Sequence, residues 1–192
     1  MSLSPEDELR FLNIVGEQAP HILPFVQFSL AIPSRKSELV TARRTQVDLV
    51  GGTLMIPAKV AKARRPILKP LPPAMLPYFR NLPVGCEWAF YRQERDGTYS
   101  PLGDFKKCFK RCCELAGVPW MRVHDLRHFA AQRLAARGVP EVAINAVAGW
   151  SNNSGMLSRH FGETPARVLS MIFEEKGAKC EAQCEAQQAL AG

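Results

Sequence analysis

The segment Arg122-Val-His-Asp-Leu-Arg-His128 places an imidazole and a guanidinium close together in the sequence. His124 and Arg127 are spaced i and i+3, and on a helix this spacing brings both side chains to one face. Asp125 is suited to cap the start of that helix, where unpaired N–H groups attract anions. The segment could therefore bind a phosphate. His-x-x-Arg is also a frequent pattern on a solvated helix face, so further residues must decide.

The surrounding pattern predicts the elements that would carry this pair. Apolar spacing predicts a helix from Val123 that stops at Gly138, and a second helix that Pro140 opens and Gly149 ends. Further helices are expected over 5–31, from residue 36, and over 73–81, 104–116 and 165–176. Residues 47–71 read as a β-meander with a charged connection. The predicted fold class is α+β, mainly α, with a small antiparallel sheet near the start, and without βαβ alternation.

Composition limits the classes of function. The 192 residues carry a formal net charge of +7, which permits nucleic acid as a partner but does not require it. No run of 18 apolar residues exists and the N-terminus lacks a signal layout, so a cytoplasmic protein without a membrane partner is expected. The six cysteines form no C-x2-C pair, which indicates reduced thiols and no metal site. We expect one domain over 1–192, with a polar tail over 177–192 that either docks on a partner or is disordered.

Several further motifs occur in a fixed order around HDLRH. Upstream lie Ser34-Arg-Lys-Ser-Glu-Leu39 and Val47-Asp-Leu-Val-Gly-Gly-Thr-Leu-Met-Ile-Pro57, followed by Lys69-Pro-Leu71. Downstream lie Gly149-Trp-Ser151 and Met156-Leu-Ser-Arg-His-Phe161. Over roughly residues 20–175 this order resembles the catalytic domain of the tyrosine recombinase, or phage integrase, family.

The resemblance implies a set of site residues. The expected catalytic residues are Arg35, Lys62, His124, Arg127 and Trp150, with Glu38 in a supporting role. Lys59 is the alternative to Lys62, because the length of the hairpin is hard to fix. Additional DNA contacts are expected from the same basic segment, at Lys59, Arg64 and Arg65.

The residue types suit cleavage of a DNA phosphodiester. Two guanidiniums can hold the non-bridging oxygens of the pentacoordinate state through charge-assisted hydrogen bonds. A lysine can protonate the 5′-hydroxyl leaving group, a histidine can move the nucleophile's proton, and an indole N–H can donate to the site. Because the arginines supply the positive charge, neither a metal ion nor another cofactor is expected.

The nucleophile is where the sequence departs from the family. The reaction requires a tyrosine after Trp150 that forms a phosphotyrosyl intermediate, but the chain's only tyrosines precede His124. Phe161 is the first candidate for the nucleophile position and His160 the alternative, and a nucleophile from elsewhere is a third possibility. In each case the chain as written is expected to cleave DNA poorly or not at all.

Three functional hypotheses follow. The first is the catalytic domain of a site-specific recombinase, encoded by a phage or a bacterial mobile element, acting on double-stranded DNA as a homotetramer, and disabled by loss of its tyrosine. The second is a degenerate integrase that binds DNA without cutting it and acts as a regulatory module. The third is an unrelated helical protein, in which Arg35, His124 and Arg127 would lie too far apart to hold one phosphate.

Overall fold

A computed structural model describes residues 3–150 and 172–173 of the protein. The helices within these residues are α1 (Pro5–Gln18), α2 (Leu23–Ala31), α3 (Lys36–Val40), α4 (Leu76–Arg80), α5 (Lys106–Leu115), α6 (Val123–Ala136) and α7 (Glu141–Ala148). The strands are β1 (Val47–Asp48), β2 (Thr53–Ile56), β3 (Ile67–Pro70), β4 (Tyr91–Gln93) and β5 (Tyr99–Pro101). Short 3-10 turns occupy Pro20–Ile22, Arg44–Gln46 and Pro73–Met75.

The helices pack through aromatic side chains. Phe11 of α1 meets Phe109 of α5 edge to face, with 5.5 Å between the ring centroids. In α2, Phe25 and Phe28 are both buried, and each contacts Phe90. Edge-to-face pairs of this kind add to the free energy gained from burial of the rings alone. They fix α1, α2 and α5 in one hydrophobic core.

The sheet near the start of the chain is antiparallel, with strand order β1-β2-β3. Leu54 pairs with Lys69, and Met55 pairs with Leu68. Because side chains alternate along a strand, Met55 and Leu68 point outward while Leu54 and Lys69 lie on the buried face. The sheet therefore places a lysine in the protein interior.

The predicted fold class is confirmed, with one element added. The β4–β5 hairpin lies within residues 82–104, a turn-rich segment for which no strand was predicted. The helix expected over 165–176 and the tail over 177–192 lie outside the described residues, except that residues 172 and 173 are helical. None of the helices in the described part of the chain has the length and apolarity needed to cross a membrane.

Candidate active site

Two helices that carry predicted site residues begin with the same local device. In α3 the backbone N–H of Arg35 donates to the Glu38 carboxylate at 3.0 Å. In α6 the backbone N–H of Arg122 donates to the Asp125 carboxylate at 2.8 Å. An acidic residue at the third helical position is typical of a capping box. The first cap fixes the start of α3 and so the direction of Arg35. The second fixes the start of α6 and so the directions of the site residues on that helix.

The two predicted arginines meet at the C-terminal end of α7. Nη2 of Arg127 donates to the Ala148 carbonyl at 2.8 Å, and Nη2 of Arg35 donates to the Gly149 carbonyl at 3.3 Å. Because these carbonyls belong to adjacent residues, both guanidiniums are held at the same end of one helix. Gly149 ends α7 in the left-handed conformation, with a φ of 66°. The structure thus brings together residues that are far apart in the sequence, and we call Arg35 and Arg127 the arginine pair.

Arg127 is buried but not fully satisfied. Its side chain is among the largest buried ones, with 1% exposure, and Nη1 has no hydrogen-bond partner among the described residues. The guanidinium carbon lies 4.9 Å from the centre of the Trp150 ring, which is a cation–π distance. Burial, and then the neighbouring charge of Arg35, lower the pKa of Arg127 to about 10. The side chain is therefore still cationic at neutral pH, and it keeps one buried donor group without a partner among the described residues.

Glu38 balances the positive charge of this region. It is completely buried, and its carboxylate accepts from Nη1 of Arg35 at 2.9 Å and lies 3.1 Å from Nζ of Lys69. Burial alone would raise the pKa of Glu38, but the charge of Lys69 and the hydrogen bonds from Arg35 lower it below its ordinary value. Glu38 is thus ionised at neutral pH and holds Arg35 through two hydrogen bonds.

Sequence reasoning assigned no role to Lys69. Its ammonium is fully buried, and burial lowers its pKa to about 8 against the opposing effect of Glu38. The alternation of the strand was the available signal, because Lys69 lies two residues after the apolar Ile67 and so shares its face.

His124 lies near the solvent side of the arginine pair. His124 is the second residue of α6 and is exposed. Its ring contacts the ring of His128, with 4.8 Å between the centroids. Burial lowers the pKa of His124, and the charges of His128, Arg127 and Arg35 lower it further, against Asp125. His124 is therefore mainly neutral at pH 7 and can accept a proton.

The predicted basic residues of the hairpin occupy the connection between β2 and β3. This connection covers residues 57–66 and consists of turns, with Arg64 at a φ of 54°. All four side chains are exposed, namely those of Lys59, Lys62, Arg64 and Arg65. Within residues 3–150 no hydrogen bond or ion pair joins them to the arginine pair. The choice between Lys62 and Lys59 stays open.

The nucleophile position is not part of the described structure. Phe161 and His160 both lie outside the described residues. Of the tyrosines, Tyr78 donates its hydroxyl to the Ala89 carbonyl at 3.0 Å, and burial raises the pKa of that hydroxyl. The hydroxyl of Tyr78 is thus already hydrogen-bonded within the core, and it is unsuited to attack a phosphate.

A cavity of about 540 Å³ adjoins His124 between α3, α5 and the start of α6. Its apolar floor includes Phe109, Trp120 and Met121. Its cationic rim is formed by Lys36, Lys106, Lys110 and Arg122. The sequence predicted a helix over 104–116, but only the structure shows that the basic face of this helix borders the site.

Among residues 3–150 and 172–173, no group of three His, Cys, Asp or Glu side chains is arranged to hold a metal ion. The four described cysteines are free thiols, at Cys86, Cys108, Cys112 and Cys113.

Comparison with known proteins identifies the family. The model of the phage integrase family matches residues 2–160, and the chain therefore belongs to this family, the tyrosine recombinases. The integrase of Salmonella phage P22 is 25% identical in an alignment of 187 positions that covers 89% of this chain and 47% of that protein. The chain thus spans about half the length of this curated relative.

Solved structures show the same fold. The integrase of transposon Tn1549 in complex with transposon right end DNA has a TM-score of 0.62 at 14% identity, over 84% of this chain and 65% of that one. The XerA recombinase has a TM-score of 0.58 at 14% identity, over 90% of this chain and 64% of that one. The family and the fold predicted from the motifs are therefore confirmed, whereas the roles of individual site residues stay predictions.

Proposed function

We propose that this chain is the catalytic domain of a site-specific DNA recombinase, and that the arginine pair binds the scissile phosphodiester. The observation that carries the proposal is the unpartnered Nη1 of the buried Arg127, beside the partly exposed Arg35. A buried donor without a partner costs free energy, so a site that keeps one is suited to a ligand that accepts from it. A phosphate presents two anionic oxygens, which two guanidiniums can share.

The roles of the remaining residues follow from their surroundings. The arginine pair would stabilise the charge that develops on the non-bridging oxygens in the pentacoordinate state. His124 is mainly neutral, so it can accept the proton of the attacking hydroxyl. Trp150 packs against Arg127 and would keep its guanidinium facing the phosphate. Lys62, on its exposed connection, would reach the leaving oxygen from the opposite side once DNA is bound.

The chain as written is proposed to be disabled in strand cleavage. Phe161 would occupy the nucleophile position and retain an aromatic ring without the hydroxyl that attacks phosphorus. The same residue favours a second function, in which the chain occupies DNA without cutting it. The intact arginine pair supports binding in both cases, so a tyrosine at position 161 is what separates the two functions.

Duplex DNA is the proposed partner, and the cationic rim of the cavity extends the proposed contact surface. Lys106 and Lys110 are exposed on α5, and Arg122 is exposed at the start of α6. Such side chains neutralise phosphates next to the one at the arginine pair. The transposon integrase with the same fold was solved in complex with DNA, which supports this partner. Lys59, Arg64 and Arg65 would contact the DNA from the β2–β3 connection.

The proposed assembly is a homotetramer on DNA, as the family resemblance implies. The tail over 177–192 is the candidate for contact with a neighbouring subunit. Sedimentation of the chain with and without duplex DNA tests this assembly, and a monomer on saturating DNA would contradict it.

Salt-dependent DNA binding tests the proposed site. Arg35→Gln keeps the backbone cap of α3 and removes one guanidinium, whereas Arg137→Gln removes an exposed arginine at the end of α6. We expect log K to fall linearly with log salt, with a slope smaller by about 1 in Arg35→Gln. Arg137→Gln should bind like the unmodified chain. An affinity that does not change between low and moderate salt would overturn the proposal.

A further inference from the structure

The C-terminal end of α7 has an unusual set of hydrogen-bond partners. The carbonyls of Asn145 and Ala146 accept backbone N–H groups from Trp150 and Gly149, at 3.0 and 3.2 Å. The next carbonyl, that of Val147, accepts from Nζ of Lys69 at 2.8 Å. The two carbonyls after it bind the arginine pair, as described above. Three consecutive carbonyls therefore each accept from a different buried or half-buried cation.

This arrangement suits the electrostatics of a helix end. The last carbonyls of a helix have no partner within the helix and carry partial negative charge. The end of α7 attracts the cations and fixes their spacing at that of successive carbonyls. The position of the arginine pair consequently depends on where the end of α7 lies.

Lys69 is the group that fixes that end. An ammonium has three N–H donors, and three acceptors surround this one. They are the Val147 carbonyl, the Pro33 carbonyl at 3.1 Å, and the Glu38 carboxylate at 3.1 Å. Pro33 precedes α3, and Glu38 lies within α3. One ammonium on β3 thus joins the end of α7 to both the entry and the interior of α3.

We propose that Lys69 is a positioning residue for phosphate binding, because its ammonium sets the end of α7 and Glu38 relative to each other and thereby orients both guanidiniums of the arginine pair. Within the described residues, the one hydrogen bond found for the Arg127 side chain goes to the Ala148 carbonyl at the end of α7. The Arg35 side chain donates to the Gly149 carbonyl and to Glu38. Lys69 therefore contacts an element that holds each of the two arginines. Its own three N–H donors are all occupied, so none is left to bind a phosphate. This inference rests on the proposed function, since it takes the arginine pair to be the phosphate-binding site.

Packing alone does not explain a lysine here. A buried ion pair often contributes little to stability compared with apolar side chains of similar volume. Leu54, the cross-strand partner of Lys69, shows that this face of the sheet accepts apolar residues. The lysine supplies three directed hydrogen bonds that an apolar residue cannot make.

Lys69→Met tests the proposal, because methionine keeps much of the length of the side chain and removes the donors. Lys69→Met combined with Glu38→Gln removes both buried charges and serves if the single variant does not fold. Lys107→Met is the matched control, since Lys107 is exposed on α5 and its loss lowers the net charge equally. The probe is dimethyl phosphate, a diester monoanion, titrated into ¹⁵N-labelled protein while the arginine Nε–Hε resonances are recorded.

The resonances of the arginine pair are assigned with Arg35→Gln and Arg127→Gln. In the unmodified chain we expect them to be dispersed and to shift on titration. In the Lys69 variants we expect them to collapse toward the positions of mobile arginines, with binding at least about tenfold weaker, since a charge-assisted hydrogen bond has about that effect. Lys107→Met should bind within about twofold of the unmodified chain.

Three results would contradict these proposals, and they distinguish the positioning role of Lys69 from the proposed phosphate site. Unchanged arginine resonances in a folded Lys69 variant would overturn the positioning role, whether or not the anion binds. An unmodified chain in which dimethyl phosphate moves no resonance of the arginine pair would instead refute the proposed phosphate site. Equal weakening in the Lys69 and Lys107 variants, with unchanged arginine resonances, would show an effect of net charge alone and would also overturn the positioning role.

Discussion

Glu38→Gln gives a sharp test of the buried charge cluster. The carboxylate accepts from Nη1 and the backbone N–H of Arg35 at 2.9 and 3.0 Å, and it pairs with Lys69 at 3.1 Å. Glutamine has nearly the same volume, but it carries no charge and turns an N–H₂ group toward one of these donors. Removing one partner of a buried pair costs about 3–5 kcal/mol, so we expect a loss of that size at pH 7.

Urea unfolding followed by tryptophan fluorescence measures this loss, provided that the m-value stays constant. Glu114→Gln is the control, because Glu114 forms an exposed pair with Lys110 at 3.6 Å on α5. Exposed pairs of this kind contribute little, so the control should stay within about 0.5 kcal/mol of the unmodified chain. A similarly small change in Glu38→Gln would refute the assignment of Glu38 as a buried, ionised partner.

The pH dependence of the same variant provides an independent check. The folded-state pKa of Glu38 is lowered from the ordinary value of 4.5, so its stabilising contribution is fully present above pH 4.5. That contribution is lost as the pH falls through the folded-state pKa. The gap in unfolding free energy between the unmodified chain and Glu38→Gln should therefore narrow in that range. A gap that is constant down to acid unfolding would contradict the argument.

Two further predictions concern the ends of α7 and α6. Gly149→Ala should destabilise the protein by about 2–4 kcal/mol in urea unfolding, because its φ of 66° is strained for alanine and a Cβ would collide with Ile67. Gly85→Ala, at a φ of 81° with open space around it, should cost only about 1 kcal/mol, and equal losses would refute the collision. NMR titration should give His124 a pKa below 6.5, and a pKa at or above that value would contradict its proposed role as a proton acceptor.

Much of the framework was predictable from local pattern. The stop at Gly149 and the start near Val123 follow from helix punctuation, and the structure has α6 beginning at Val123 and α7 ending at Ala148. The β4–β5 hairpin was missed because its strands have three residues each. The Asp96-Gly97 turn between them was the signal that could have revealed it.

The site was predictable in its residue types but not in its connections. His124 and Arg127 are adjacent on one helix, so their proximity follows from spacing. The contact of Arg35 with the Gly149 carbonyl joins segments 114 residues apart, and no local rule predicts it. The burial of Lys69 is of the same kind, because its three acceptors come from α3, from Pro33 in the segment before α3, and from α7.

Covalent trapping of DNA tests the central claim most directly. The assay uses a pool of nicked duplexes with randomised sequence, and it compares the unmodified chain, Phe161→Tyr, and Phe161→Tyr combined with Arg127→Gln. We expect an adduct that survives denaturation with Phe161→Tyr alone, since that variant has both the hydroxyl and the intact arginine pair. If Phe161→Tyr binds the DNA but forms no adduct, or if the adduct persists without Arg127, the account of a phosphodiester-cleaving site disabled at position 161 is wrong.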